Sequence, residues 1–155
     1  MTDWNRRFLT LALHISTWSK DTSTKLGCVI VGQGNEILST GYNGLPRGCN
    51  DAVPARNERP LKYRWYEHAE RNAIYNAARN GIALLNSRIY LLSLACSDCA
   101  RAIIQAGIAE IITTPPEYDN PRWGSELRIA AEMLHEAHIP ITIVDMGKSV
   151  IDNPV

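Results

Sequence analysis

The sequence predicts a three-layer α/β/α sandwich around a five-stranded mixed sheet. Three observations carry that reading. Helical apolar stripes and short β-rich runs alternate in the order α-β-β-α-β-α-β-α-β. Strands joined through helices imply parallel neighbours, and one early hairpin supplies an antiparallel part. A length of 155 residues suits a single domain spanning 1–155 and leaves no room for two.

The elements follow in chain order. Trp4, Phe8, Leu11, Ala12, Ile15 and Trp18 form the stripe of an amphipathic helix over 4–18. Residues 26–31 read as a buried strand, 32–35 as a turn, and 36–40 as the second arm of the hairpin. From 41 to 63 no period is visible, and Gly44, Pro46, Gly48, Pro54 and Pro60 punctuate the tract. A loop of this length inside a domain is usually functional or disordered. A helix is predicted over 65–79, stopped by Asn80-Gly81. A strand over 88–94, a helix over 97–105 and a strand over 108–113 come next. A proline-marked loop leads to a helix carrying Leu127, Ala130, Leu134 and Ala137, and 139–144 is the last strand. There is no internal repeat.

Composition excludes several classes. Sixteen basic residues balance sixteen acidic ones, which argues against a nucleic-acid-binding surface. No apolar run approaches the roughly 18 residues of a membrane span. The first residues lack a signal peptide's apolar core, so the expected location is cytoplasmic. In a reducing compartment the four cysteines are expected as ligands, core residues or thiols rather than disulfides.

The chemistry concentrates in two short pieces. His68-Ala69-Glu70 precedes most of one predicted helix, and Cys96-Ser97-Asp98-Cys99 stands where a strand turns into the next helix. A His-x-Glu followed by Cys-x-x-Cys is the zinc deaminase signature. One imidazole and two thiolates, from His68, Cys96 and Cys99, leave the fourth tetrahedral position of zinc to water. The metal brings that water's pKa towards about 7. Glu70, two residues beyond His68, points away from the imidazole and is expected to carry protons between that water and the substrate. A redox pair or a structural metal site would need only part of this set. His14, His135 and His138 have no cysteine at ligand spacing and are expected on the surface or in the core. Cys28 is expected in the core, while Cys49, in the long loop, is open to a ligand or a second metal.

The long loop also has a local basic excess. Arg47, Arg56, Arg59, Lys62 and Arg64 outnumber Asp51 and Glu58, which suits a small anion such as a phosphate. Lys25, after the turn Asp21-Thr22-Ser23-Thr24, is a further phosphate candidate.

Beyond the zinc pieces, the blocks SKDTSTKLG (19–27), GYNGLPRG (41–48), HAERNAIYNAAR (68–79) and CSDCARAIIQAGI (96–108), with Tyr118, resemble the deoxycytidylate (dCMP) deaminases of the cytidine deaminase superfamily. The resemblance runs over about residues 4–145. It implies hydrolysis of dCMP to dUMP and ammonia, feeding thymidylate synthesis. It implies one catalytic Zn2+ per chain on His68, Cys96 and Cys99, with Glu70 as proton shuttle. Lys25, Asn43, Ala69 and Tyr118 are expected at the substrate. Gly44, Arg47 and Gly48 are expected at an effector site, with dCTP activating, dTTP inhibiting and Mg2+ accompanying the triphosphate. Many members are homohexamers, so a homo-oligomer is expected. One departure is Ala95, where the family usually has proline; the turn into the helix should be softer, with the site intact. Two other readings stay open: a deaminase of dCTP, deoxycytidine or another cytosine compound, and a catalytically silent zinc- and nucleotide-binding regulatory subunit.

Overall fold

A computed structural model of the chain describes residues 3–147; the outermost parts of the expected domain, 1–2 and 148–155, lie outside the described residues. The strands are β1 (Gly27–Val31), β2 (Ile37–Tyr42), β3 (Arg88–Leu91), β4 (Glu110–Thr113) and β5 (Ile141–Ile143). They form one sheet in the order β2-β1-β3-β4-β5. The helices are α1 (Trp4–Ser16), α2 (Lys62–Trp65), α3 (Ala69–Arg79), α4 (Ser97–Gln105) and α5 (Gly124–Glu136). This is the expected mixed five-stranded sandwich, with one difference in pairing. The antiparallel part is not confined to the hairpin, because β1 also pairs antiparallel with β3. The chain crosses from the edge strand β2 over β1 to reach β3, so consecutive strands are not neighbours there. Only β3, β4 and β5 run parallel, in register Leu91 with Thr113 and Thr113 with Ile143.

Side chains alternate across the sheet with period two. Cys28 and Ile30 of β1, Ile89 and Leu91 of β3 and Ile111 of β4 face a core shared with α3, α4 and α5. Val29, Val31, Tyr90 and Ile112 face the other way, against Phe8, Leu9, Ala12 and Ile15 of α1. β3 and β4 are buried on both faces, as expected for strands covered by helices, whereas the edge strand β5 is only partly covered and leaves Ile143 exposed.

The helix predicted over 65–79 is two elements. The short α2 ends at Trp65, Tyr66 is extended at φ −88°, ψ 133°, and α3 begins at Ala69. The cause is a long-range backbone pairing. Gly44 and Glu67 exchange two hydrogen bonds, at 3.0 and 2.8 Å, forming an isolated antiparallel bridge that forbids helix at that point. The aperiodic tract before it contains one 3-10 turn, Pro54–Asn57. The start of α3 also lies unusually close to β2. A Cβ on Gly41 would come within 2.3 Å of Ala69 O and 2.4 Å of Ala73 N, so only glycine permits that contact.

Candidate active site

Both zinc-site pieces stand at helix starts. His68 is the N-cap residue of α3 and Cys96 that of α4, both with extended backbone, and Cys99 lies in the first turn of α4. The helix dipoles therefore direct their positive ends at one point. Cys99 is fully buried, Cys96 nearly so and His68 partly. His68 Nδ1 lies 3.4 Å from Cys96 Sγ and 3.5 Å from Cys99 Sγ. Among the described residues these three form the one cluster of metal-ligating type, with ligand atoms all within 4.8 Å of one another. Tetrahedral zinc, with bonds of about 2.0 Å to nitrogen and 2.3 Å to sulfur, places such donors about 3.5 Å apart. The donor set fits zinc in identity and in spacing.

The electrostatics agree. Cys99 hydrogen-bonds to Cys96 and holds the Cys96 thiol down to about 4, with burial opposing and His68 assisting. Cys99 is raised, as the partner that keeps its proton and by burial. The hydrogen bond to Cys96 raises His68 above its usual value. Glu70, in the first turn of α3, is buried, and burial pushes its carboxyl up against the lowering effect of His68. Its Oε2 has no hydrogen-bond partner among the described residues. A buried carboxylate oxygen without a partner is costly, and a water or substrate group in the site would satisfy it. Arg71 braces the two helix starts, pairing with Glu67 at 2.5 Å and reaching Asp98 at 3.7 Å.

Tyr118 is half-buried against the core on this face of the sheet, with Arg128 over its ring at 5.4 Å. Ala69 is buried beside His68. The sequence reading missed Trp123. Its indole meets the His68 imidazole edge-on at 6.1 Å and the Tyr63 ring at 6.1 Å. The available signal was an aromatic between the Pro121 turn and the next helix. Gly124 locks that turn, since a Cβ there would lie 2.1 Å from Tyr118 O.

The loop residues have more varied fates. Asn43 is buried, and most of its side chain is committed inside the protein. Oδ1 accepts from Leu26 N at 2.8 Å, while Nδ2 donates to Thr24 O at 2.8 Å and Asp21 Oδ2 at 3.0 Å. One lone pair of Oδ1 is left to offer a ligand. Lys62, counted among the phosphate candidates, is instead buried in an ion pair with Asp21 at 2.5 Å. Arg56 stacks on Trp65 at 3.8 Å, and Arg47 donates to Asn76 of α3. Arg59 reaches Ser23 Oγ at 3.3 Å beside the Tyr63 ring. Lys25 is exposed and lines an apolar groove with Leu13, Leu92 and Thr114. Gly44 commits both backbone groups to Glu67, and Gly48, at φ +81°, stands in open space. Cys49 joins no metal-ligating cluster among the described residues, His14, His135 and His138 are exposed, and Cys28 is in the core. Ala95 is fully buried, and Cys96 after it keeps the extended backbone of an N-cap.

Comparison with known proteins adds the family. The family described as cytidine and deoxycytidylate deaminase zinc-binding region matches residues 2–114. An uncharacterized deaminase in the luxG 3' region of Aliivibrio fischeri is 36% identical over 140 residues, 90% of this chain and 92% of that protein. The deoxycytidylate deaminase of Homo sapiens is 35% identical over 136 residues, 84% of this chain and 75% of its own. The dCMP deaminase of cyanophage S-TIM5, solved in complex with dCMP and dUMP, shares the fold at a TM-score of 0.73 and 21% identity, covering 89% of this chain and 94% of its own. Among the described residues no helix is long and apolar enough to cross a membrane. With His68, Cys96 and Cys99 gathered beside a buried Glu70, and with that match over most of its length, the chain belongs to the cytidine and deoxycytidylate deaminase family.

Proposed function

We propose that this chain is a zinc-dependent deaminase of dCMP, acting as one domain over 1–155 in the cytoplasm and supplying dUMP for thymidylate synthesis. The observation that carries the reading is the convergence of His68, Cys96 and Cys99 with a buried Glu70 whose Oε2 is unpartnered. Zinc bound to the three ligands supplies hydroxide at neutral pH by acidifying its water. Glu70 is the proton carrier. Burial raises its carboxyl, which suits a group that takes a proton from the attacking water and passes it to the ring nitrogen. It then takes the second proton from the new hydroxyl and gives it to the amine as the C–N bond breaks and ammonia leaves. Ala69 and Tyr118 border the base, and Trp123, edge-on to both His68 and Tyr63, walls the His68 side. Asn43 meets the sugar through its remaining lone pair. The 5′-phosphate is met by Arg59 and Lys25, the exposed cations flanking the Ser23 turn.

Arg47 and Gly48 receive a triphosphate with its Mg2+, dCTP activating and dTTP inhibiting, in a homohexamer. Gly44 takes part through its bridge to Glu67, which ties the effector loop to the residue before His68. Arg47 touches α3 directly, through Asn76.

The deciding experiment is ammonia release from cytosine, deoxycytidine, dCMP, CMP and dCTP, with and without dCTP or dTTP. The expected result is dCMP preferred over deoxycytidine by about 100-fold, since charge-assisted bonds to phosphate contribute about 1.5–3 kcal/mol each. Equal rates on nucleoside and nucleotide overturn the phosphate reading. Zinc without turnover on any compound points to the silent subunit.

A further inference from the structure

The buried ion pair of Asp21 and Lys62 lies outside the catalytic set, and its surroundings are unusually complete. Both side chains are over nine-tenths buried and lie 2.5 Å apart. Asp21 Oδ1 accepts from Ser23 N at 2.8 Å, Ser23 Oγ at 3.0 Å and Thr24 N at 3.2 Å. Asp21 Oδ2 accepts from Asn43 Nδ2 at 3.0 Å as well as from Lys62. Lys62 Nζ also donates to Ser23 Oγ at 2.6 Å and lies 5.2 Å from the Tyr66 ring centre. One carboxylate and one ammonium thus join three segments that are distant in sequence.

Each segment carries a residue of the proposed nucleotide site or leads to His68. The first, 19–26, carries Lys25 and the turn that Arg59 touches. The second carries Asn43, whose amide is oriented by Asp21, Thr24 and Leu26. The third runs from Lys62 through Tyr66 and Glu67 to His68, with Tyr66 N bonded to Lys62 O at 2.9 Å. A buried ion pair is weak evidence for stability, since apolar replacements are often as stable. Fixing geometry is the function its position suits.

We infer that Asp21 and Lys62 form a positioning joint that holds the nucleotide-binding wall of the zinc site without touching the reacting atoms, an inference that rests on the dCMP reading above. The pair orients Asn43 and the Ser23 turn from behind. His68 is held separately, by the Gly44–Glu67 bridge and the start of α3. Loosening the joint should therefore weaken nucleotide binding and spare the metal.

The test uses Lys62→Met and, because that change strands the Asp21 charge, Lys62→Gln, which can still hydrogen-bond to it. The measurements are zinc content, kcat and KM for dCMP, and amide hydrogen exchange across the chain. The expected result in either folded variant is unchanged zinc, kcat within about threefold and KM raised at least tenfold. Exchange at Ser23, Thr24, Leu26 and Asn43 should quicken at least tenfold while α5 is unchanged. An unchanged KM, or loss of zinc with uniformly faster exchange, overturns the joint. If the unaltered chain fails to deaminate dCMP, the functional reading falls and the exchange pattern decides the joint: local acceleration supports it, and uniform or absent acceleration sinks it.

Discussion

The His68, Cys96 and Cys99 cluster at the starts of α3 and α4, the proposed metal shelf, and the loop tract from Asn43 to Glu67, proposed to meet the nucleotide, are built on opposite principles. The shelf draws its ligands from N-cap and first-turn positions of helices seated on the sheet, so its geometry is fixed by regular backbone. The tract has little regular structure and is held by side chains: Asn43 on Leu26, Lys62 on Asp21, Arg56 on Trp65. Each construction suits a different task. Bond-making chemistry needs donors held to within a fraction of an ångström, which rigid elements provide. Recognition of a phosphate and a sugar can be built on a loop, provided the loop is pinned.

The largest effects are expected at the shelf. Cys96→Ala should remove zinc and activity together, read by metal analysis and ammonia release; a variant keeping both would show that the shelf is not the metal site. Glu70→Gln should keep the zinc and the fold but lose about 10²–10⁴-fold in kcat, because it removes the proton carrier alone. Near-normal turnover there would return the shelf to a structural role.

The loop side should respond differently. Arg59→Ala should erode the preference for dCMP over deoxycytidine by about tenfold or more and leave the nucleoside rate nearly unchanged. An equal loss on both would mean that Arg59 serves the fold. At the boundary between the regions, Gly41→Ala drives a methyl group into the start of α3 and should destabilise by about 1–3 kcal/mol, read from the denaturant midpoint.

The smallest effect is in the pH profile. Burial would raise the Asp21 carboxyl, but the hydrogen bond from Lys62 and the bonds from Ser23 and Thr24 outweigh it, leaving the group below its ordinary 3.8. A lowered folded value means its stabilisation is complete above the unfolded value and fades as pH falls through the folded one. Asp21→Asn should therefore flatten the acid limb of the stability curve below about pH 4 and leave the neutral-to-alkaline limb parallel to the original. An unaltered acid limb would show that Asp21 does not titrate with folding.

The same contrast explains what could be read from the sequence. The shelf was legible because ligand identity and helix starts are local properties: His68, Glu70, Cys96 and Cys99 stand within a few residues of their own caps. The full burial of β1 was legible for the same reason, since its continuous apolar run reads as a buried strand. The break at Tyr66 was not, because it depends on Gly44, more than twenty residues earlier, pairing with Glu67. Lys62 looked like a free cation until Asp21 was brought beside it, and nothing local tied Trp123 to His68, which it meets only in the folded chain. Each of these depends on chain closure, which no local pattern encodes. The antiparallel pairing of β1 with β3 likewise depends on where β2 goes, not on either strand's residues.

The turn ahead of α5 closes on itself. Asn120 N bonds to Glu117 O at 3.0 Å, Asn120 Oδ1 accepts from Arg122 N and Trp123 N at 3.0 and 3.1 Å, and Gly124 N returns to Asn120 O at 2.8 Å. Arg128 of α5 adds an outside hold, donating to Tyr118 O and Asp119 Oδ1 at 3.3 Å each. The segment can therefore be exchanged as a cassette as long as its two ends keep their spacing and an acceptor for Arg128 is kept. For protein engineering, residues 117–123 are thus an interchangeable lip: new aromatic or polar residues at Tyr118 and Trp123 can redraw what the site admits while the sheet, the cysteines and the start of α3 stay as they are.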